Sequence, residues 1–168
     1  MNFVEPIIME PVFLGRELES LIRGKLLQKV NGSISQKHGY IVCVIKVIDI
    51  GKGRILDTSG EVIFNVTYRA IVMKPFVNEI IEGVVEKVES YGITVTAGVI
   101  RKIFISSNHF PGDFKYNENT NSFKSFELND DEIKVDTEIR FRITAINYEL
   151  NQFMCTGTMS EAYLGPIK

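Results

Sequence analysis

The side chains that could carry out acid–base chemistry are few and scattered along the sequence. Glu86 and Glu89 form one pair of nearby carboxylates, and Asp130 and Asp131 form another, both within patterns typical of an exposed surface. General acid–base catalysis needs a cleft and a perturbed pKa, and the residues around these pairs indicate neither. No Ser-His-Asp or Cys-His arrangement is legible, so the sequence predicts no catalytic residue.

The spacing of the histidines and cysteines does not predict a metal or redox site. His38 lies beside a glycine, and His109 has no cysteine or carboxylate at a metal-binding spacing. Cys43 and Cys155 each lie inside an apolar run without a C-x-x-C partner, which favours buried, reduced thiols over a disulfide or metal ligands. We therefore expect no metal, no cofactor and a reducing compartment.

Charge is divided unevenly between the two halves of this 168-residue chain, whose formal net charge is −2. Residues 1–77 contain ten Lys and Arg against seven Asp and Glu, whereas residues 78–168 contain nine against fourteen. A strongly basic nucleic-acid-binding surface is therefore not expected. No apolar run approaches the ~20 residues of a membrane helix and no signal segment is recognisable, so we expect a soluble intracellular protein.

The hydrophobic pattern of the first half predicts a small α+β unit. An edge strand over residues 3–11, which contains two prolines, precedes an amphipathic helix over about residues 16–29 that ends at Asn31-Gly32. The continuous apolar run 40–48 predicts a strand that is central or covered on both faces. A glycine-containing excursion then leads to a further strand over residues 61–73, which completes a sheet packed on the helix.

The second half alternates as a series of short strands with glycines at the corners. Five strands with a long polar loop between the third and fourth is the strand order of an oligonucleotide-binding barrel. A boundary near residue 77 follows the Lys74-Pro75-Phe76 hinge. The predicted strands cover residues 84–89, 93–97, 99–105, 137–146 and 152–159, with a loop at 112–129, a turn at 147–151 and a tail from 160.

Several motifs of this sequence together resemble one protein family. They are P-x-x-x-G at residues 11–15, GYIV at 39–42, GKG at 51–53 and, most specific, YRAIV-x-x-PF at 68–76, which leads directly into an S1-type barrel pattern. This combination resembles the stalk subunits of DNA-directed RNA polymerases, the family of the seventh subunit of eukaryotic RNA polymerase II and of its archaeal counterpart. The ending YLG at 163–165 is similar to the polymerase II version.

The resemblance implies a fold and a non-catalytic role. The fold is α+β, with a truncated RNP-like docking domain over residues 1–77 and an S1-type five-stranded barrel over residues 78–168. Members of this family pair with a small helical partner of the fourth-subunit type, dock on the polymerase core beside the clamp and bind nascent single-stranded RNA weakly. The resemblance to polymerase II implies a nuclear location. The residues that match the core-docking loop are Gly51, Lys52, Gly53, Arg54 and Ile55.

Single-stranded RNA binding needs flat side chains for the bases and cations for the phosphates. Tyr91 and Phe104 lie where S1 domains present base-stacking aromatics, although the second aromatic common after the Tyr91-Gly92 turn is replaced by Thr94. This thinner stacking surface predicts weak binding. The predicted RNA-binding residues are Tyr91, Arg101, Lys102, Phe104, His109, Arg140 and Arg142.

Each assignment has an alternative that the sequence leaves open. Phe104 lies inside an apolar strand and is equally compatible with the barrel core. Arg140 and Arg142 share one face of the fourth barrel strand and could serve only to neutralise the acidic segment 130–138. The GKG loop is also compatible with an ordinary hairpin connection. The chain as a whole could be a free-standing S1-domain RNA-binding factor in translation or RNA decay.

Overall fold

The structure is a computed structural model that describes residues 1–112, 114–125 and 131–167. The chain divides into two compact units, Met1–Lys74 and Pro75–Lys168. The first is a sheet with one helix and the second contains a closed five-stranded barrel, which confirms the predicted α+β class. Asp130, a member of one carboxylate pair considered above, lies outside the described residues, as do Asp113, residues 126–129 and Lys168.

The N-terminal unit is one antiparallel sheet whose strands follow the order β1-β5-β3-β2, with β4 paired to β5. The predicted edge strand is confirmed, because β1 pairs only with β5 in this sheet. Its elements are β1 (Asn2–Met9), α1 (Leu18–Val30), β2 (Ile34–Ser35), β3 (Gly39–Ile50), β4 (Arg54–Ile55) and β5 (Val62–Met73).

Helix α1 covers one face of this sheet. Ile22, Leu26 and Val30 recur every four residues and are buried against the sheet, which confirms the helix predicted from the apolar spacing. Asn31 is the C-cap, and Gly32 follows with a φ of 75° that glycine adopts without strain. None of the helices in the described residues is long and apolar enough to cross a membrane.

Strand β3 lies between β5 and β2, so the predicted central position is confirmed where β2 pairs with Gly39 and Tyr40, and the rest of the strand pairs with β5 alone. The strand is not covered on both faces along its length, so that alternative was wrong. Its pairing with β5 is interrupted by three register shifts, which leave Val42, Ile45 and Ile48 as extra, exposed residues. The reason is an apolar period of three. Ile41, Val44, Val47 and Ile50 pack toward the core, and a regular strand would turn every second one of them away.

The C-terminal unit is built on a sheet closed into a barrel, in which β6, β7, β8, β13 and β12 pair in that order and β12 returns to β6. The β8–β13 pairing is parallel and the other four are antiparallel. The strands of the unit are β6 (Ile80–Glu89), β7 (Gly92–Ala97), β8 (Ile100–Ser106), β9 (Phe114–Asn117), β10 (Ser122–Ser125), β11 (Glu132–Ile133), β12 (Glu138–Glu149), β13 (Gln152–Thr158) and β14 (Gly165–Pro166).

The segment predicted as a polar loop over residues 112–129 instead contains two of the three strands of a small sheet, β9 and β10, with β11 completing it. The ring of Phe123 is buried and packs edge-on against Phe110 at 4.8 Å, and Tyr116 also contacts it. The Asn- and Ser-rich composition suggested a loop, but those residues mainly form the β9–β10 turn, where Asn121 has a positive φ. The described part of this segment is therefore an ordered hairpin.

Two further boundaries differ from the prediction. Strand β12 continues to Glu149, and only Leu150 and Asn151, both with positive φ, form the turn into β13. The predicted tail also forms a strand, since β14 pairs with β12 at Ile139 and Arg140. Neither deviation is surprising, because short terminal strands and turn residues carry weak periodicity.

Candidate nucleic-acid interface

Tyr91 and Phe104 form an aromatic pair on the barrel. Their ring centroids lie 5.8 Å apart with the rings tilted by 40°. Tyr91 is 58% exposed in the β6–β7 turn, and Phe104 is half-buried on β8. Phe104 is therefore neither a fully buried core residue nor a fully exposed stacking residue. One part of its ring packs on the barrel, and another part remains accessible.

Gly92 permits this contact. A Cβ atom at residue 92 would lie 2.4 Å from the carbonyl oxygen of Ile105 and 2.8 Å from the ring of Phe104. Any larger residue would push the β6–β7 turn away from β8 and separate Tyr91 from Phe104. Tyr91 can therefore lie beside Phe104 only if a glycine follows it at residue 92.

The hydroxyl of Tyr91 donates a hydrogen bond to Glu89, whose carboxylate also accepts one from Lys87. The hydrogen bond from Lys87, followed by that from Tyr91, holds the pKa of Glu89 below its ordinary value. The same carboxylate raises the pKa of Tyr91, chiefly through their hydrogen bond. The exposed stacking ring therefore stands beside an ionised carboxylate, which disfavours an approaching phosphate.

A cleft of about 620 Å³ begins at Phe104 and continues between β8, β12 and β13. Lys102 and Phe104 line one part of it, so two predicted residues lie on one concave surface. Sequence reasoning missed the opposite part of the lining. The one feature of the sequence that could have revealed this part is Met154, an apolar residue at an outward position of β13. The remaining lining residues are Thr94, Ala145, Ile146, Asn147, Glu149, Met154, Cys155 and Thr156.

The polar atoms of this cleft suit an unpaired base better than an extended phosphate chain. Thr94 lies directly across from Phe104 in the β7–β8 pairing, and Thr156 lies across from it in the β8–β13 pairing. The amide nitrogen of Asn147 donates to Glu149 at 2.6 Å, which leaves its oxygen as an acceptor. A cleft lined by apolar side chains together with threonine hydroxyls and an amide can hold a flat ring and hydrogen-bond its edge.

Arg101 and Lys102 are adjacent exposed cations at an irregularity in the β7–β8 pairing. The register shifts between Val95 and Ala97, which places an extra residue on β8 at this point. Neither cation takes part in an ion pair within the described ranges. Both are therefore available to an external anion.

Arg140 and Arg142 share the outward face of β12, as the two-residue period predicted, but each is already paired. Arg140 donates from Nε and Nη2 to Oε1 of Glu82, at 3.0 and 2.6 Å. Arg142 forms an ion pair with Glu161 at 2.7 Å. The sequence offered the acidic segment 130–138 as the group that neutralises these arginines. In the described residues their partners are instead carboxylates on β6 and in the C-terminal segment.

His109 is exposed at the end of a short 3-10 turn after β8 and does not line the cleft. Its backbone oxygen accepts a hydrogen bond from the nitrogen of Met159. The structure therefore brings together Tyr91, Lys102 and Phe104, with Arg101 beside them on β8. It places His109 outside the cleft and gives Arg140 and Arg142 partners of their own.

The predicted docking loop lies between β3 and β5 in the N-terminal unit. Gly51 donates its N–H to Asn65 at 3.0 Å, and Arg54 and Ile55 form β4, which pairs back onto β5. Lys52, Arg54 and Ile55 nevertheless expose their side chains. The loop is thus paired along β5 through Arg54 and Ile55, and the exposed side chains of Lys52, Arg54 and Ile55 form a rim of the N-terminal unit.

Other chemistry is limited in this chain. No group of three His, Cys, Asp or Glu side chains is arranged to hold a metal ion in residues 1–112, 114–125 and 131–167. Cys43 and Cys155 are both free thiols. Burial raises the pKa of Cys155 to about 11, so its thiol remains protonated at neutral pH and is a poor nucleophile.

Comparison with known proteins places both units in one family. The N-terminal unit matches the SHS2 domain found in the N terminus of Rpb7p/Rpc25p/MJ0397 over residues 7–60, and the C-terminal unit matches RNA polymerase III subunit Rpc25 over residues 79–163. These two family models together span most of the chain.

Full-length relatives agree with these matches. DNA-directed RNA polymerase II subunit RPB7 of Saccharomyces cerevisiae is 36% identical over 163 residues, which cover 96% of this chain and 94% of the relative. The RPB7 subunit of Glycine max is 33% identical over 95% of this chain and 90% of its own length. DNA-directed RNA polymerase V subunit 7 of Arabidopsis thaliana is 32% identical over 91% and 86%. The chain therefore belongs to the RPB7 family of stalk subunits of DNA-directed RNA polymerases.

Proposed function

We propose that this chain is the non-catalytic stalk subunit of a nuclear RNA polymerase of the polymerase II type. In this proposal the chain pairs with a small helical subunit of the fourth-subunit type, and residues 1–77 dock on the polymerase core beside the clamp. Residues 78–168 bind nascent single-stranded RNA weakly. The near-complete coverage by polymerase subunits favours this role over a free-standing RNA-binding factor.

The observation that carries the RNA-binding part is the aromatic pair Tyr91–Phe104 beside the cleft that Lys102 lines. Base–aromatic stacking contributes about 1–3 kcal/mol per base, and this surface offers room for one or two bases. Arg101 and Lys102 supply two unpaired cations, whereas Glu89 opposes an approaching phosphate. We expect sequence-tolerant binding with a Kd on the order of micromolar at moderate salt.

The docking part is supported by the exposed rim of the N-terminal unit. Lys52, Arg54 and Ile55 present two cations and one aliphatic side chain to solvent, and Ile55 is 66% exposed. Arginine is enriched and lysine depleted at protein interfaces, so Arg54 is the stronger of the two cations as a partner contact. Because β4 holds Arg54 and Ile55 against β5, this surface is preorganised, which lowers the entropic cost of binding.

A titration of labelled single-stranded RNA tests the RNA-binding part. The intact pair of this chain and its helical subunit is titrated at several salt concentrations, as the parent and as variants. Tyr91→Ala should weaken binding about five- to tenfold, because it removes the accessible stacking face. Arg101→Ala/Lys102→Ala should weaken all sequences alike and reduce the slope of log Kd against log salt.

The matched control for this titration is Arg140→Ala, which removes an arginine of the same barrel that is already bound to Glu82. Its RNA affinity should change by less than about twofold. If Arg140→Ala weakens binding more than Tyr91→Ala does, the RNA lies over β12 and the proposed cleft is not the site. If no variant binds differently from the parent, the barrel does not contact the RNA.

A further inference from the structure

The β12 side of the barrel cleft is formed by one amide and one carboxylate. Asn147 and Glu149 both line the cleft and lie two residues apart, so they share one face of the strand. The amide nitrogen of Asn147 donates to Oε1 of Glu149 at 2.6 Å, which holds the two side chains together. Oδ1 of Asn147 and Oε2 of Glu149 accept no hydrogen bond from the described part of the chain. This side of the cleft therefore offers two acceptor oxygens side by side.

Met154 lies between these acceptors and the cation of the cleft. It is the cross-strand neighbour of Asn147 and is 46% exposed. On the other side of β13, Thr156 pairs with Phe104 in parallel register, and the same register two residues earlier brings Lys102 level with Met154. Lys102 and Asn147 are therefore two strand spacings apart, about 10 Å. The adaptable Met154 side chain thus lies where one flat ring can rest between a cation and two acceptors.

The two sides of the cleft carry opposite charge. Lys102 on β8 and Glu149 on β12 are both exposed, and neither forms an ion pair within the described ranges. β13 separates them, so they do not neutralise each other directly. A complementary occupant brings a negative group to the β8 side and N–H donors to the β12 side. A nucleotide has both, a phosphate and a base edge.

The four RNA bases differ in how well they match two adjacent acceptors. Unpaired bases are read by hydrogen bonds on their Watson–Crick edges. Guanine alone presents two neighbouring donors there, N1–H and N2–H. Adenine and cytosine each present one amino group beside an acceptor nitrogen, and uracil presents one N–H between two carbonyl groups. Because a carboxylate only accepts hydrogen bonds, an acceptor atom of these other bases would face Glu149 without a donor.

We propose that the cleft selects guanine at one position of the bound RNA, with the ring on Met154 and its N1–H and N2–H donated to Glu149 and Asn147. The proposal rests on the RNA binding proposed above and names the base that this site prefers. Lys102 binds a phosphate, which every sequence has, and stacking on Tyr91 and Phe104 accepts any base. All single-stranded sequences therefore still bind, and a guanine adds affinity at one position.

The test is a fluorescence titration of the intact pair of this chain and its helical subunit with labelled short oligouridines. Each carries one central guanosine, adenosine or inosine. The adenosine oligonucleotide is the reference, because adenine has the same ring system and stacks on the same surface. Guanosine should bind about fivefold more tightly than adenosine. Inosine keeps N1–H but lacks the N2 amino group, so its Kd should fall between the two.

Glu149→Gln separates base selection from general affinity. The variant keeps the shape of the side chain but replaces one acceptor oxygen with a donor, so the ratio of the adenosine Kd to the guanosine Kd should fall below about twofold. Glu89→Gln is the matched control, since it removes a carboxylate of the same barrel that does not line the cleft. It should tighten both oligonucleotides alike and leave their ratio unchanged. A purely structural role of Glu149 would alter the Tm and not this ratio.

The possible outcomes separate this inference from the proposed function. If the parent binds the guanosine and adenosine oligonucleotides equally well, the inference is overturned while RNA binding stands. If the parent binds no RNA, both are wrong. Equal loss of the ratio in Glu149→Gln and Glu89→Gln would show a general charge effect and also overturn the inference. Free guanosine monophosphate should compete only at concentrations more than tenfold above the RNA Kd, and competition at the Kd itself would assign the cleft to a free nucleotide instead.

Discussion

Strands β3 and β12 have the same length, twelve residues, but bury their side chains in different ways. The first half of β12 alternates, with Ile139, Phe141 and Ile143 in the barrel core and two arginines pointing outward into ion pairs. β3 instead turns every third residue toward the core and leaves aliphatic side chains and Lys46 unpaired on its other side.

The difference shows that the two units meet different requirements. The barrel closes its strand ladder, and the outward cations of β12 are neutralised by carboxylates of the same chain. The N-terminal sheet has open edges, three irregularities in one strand and two opposed cations, Lys46 and Arg69, on its uncovered face. The barrel therefore neutralises the outward cations of β12 within its own unit, whereas the N-terminal sheet leaves apolar and cationic side chains exposed.

The largest expected effect is a difference in the free energy of unfolding between variants of β12 and variants of β3. Phe141 is fully buried, so Phe141→Ala should lower the free energy of unfolding by about 3–5 kcal/mol through loss of burial and creation of a cavity. Ile45→Ala on β3 should change it by less than about 0.5 kcal/mol, because its side chain is exposed. Urea unfolding followed by circular dichroism measures both. Equal losses for the two variants would contradict the description of β3 as an uncovered strand.

The next effect concerns binding to the polymerase core. Arg54→Glu/Ile55→Ser reverses a charge and removes the most exposed aliphatic group of the docking rim, so it should weaken binding at least tenfold, or by about 1.4 kcal/mol or more. Both residues retain their backbone pairing with β5, and the circular dichroism spectrum should not change. Thr58→Ala, an exposed change just outside residues 51–55, is the control. Unchanged core binding would make the rim an ordinary connection.

The smallest effect concerns the carboxylate beside Tyr91. Glu89→Gln removes a negative charge from the RNA-facing surface and should strengthen RNA binding about two- to fivefold at neutral pH. The pKa of Glu89 is lowered, so its carboxylate stays ionised and the ratio of the two affinities should be constant from pH 8 to about pH 5.5. A ratio that falls over this range would show that Glu89 titrates there and that its hydrogen bonds are not those described.

The same lowered pKa fixes the sign of a stability effect. A carboxylate whose pKa is depressed in the folded state contributes stability above its unfolded pKa, and this contribution is lost as pH falls through the folded value. Glu89→Gln should therefore lower the Tm at neutral pH and have no effect at pH values below the depressed pKa. Thermal unfolding of parent and variant at both pH values provides the measurement.

The elements with a strong period were predictable from the sequence. Ile22, Leu26 and Val30 define α1, and alternating apolar residues define the long strands of the barrel. The motif YRAIV-x-x-PF is specific enough to identify the family from the amino-acid sequence alone. The class, the order of the main elements and the family therefore follow from local pattern together with one specific motif, whereas the short strands β2, β4, β9, β10, β11 and β14 do not.

What the sequence did not predict depends on contacts between distant residues. The partner of Arg140 is Glu82, 58 residues away, and no local pattern specifies it. The second part of the cleft lining comes from β12 and β13, which meet β8 only when the barrel closes. In β3 every third residue is apolar and faces the core. Only the pairing of β3 with β5 shows that this spacing produces three irregularities in the strand.

The most direct test of the central interpretation is purification of this chain from its own cells. The chain carries a C-terminal affinity tag and is isolated from nuclear extract at physiological salt, and its associated proteins are quantified by mass spectrometry. We predict RNA polymerase II subunits in near-equal molar amounts, together with one small helical subunit. Recovery of the chain alone, or with ribosomal or RNA-degrading proteins in place of polymerase, would contradict its assignment as a polymerase stalk subunit.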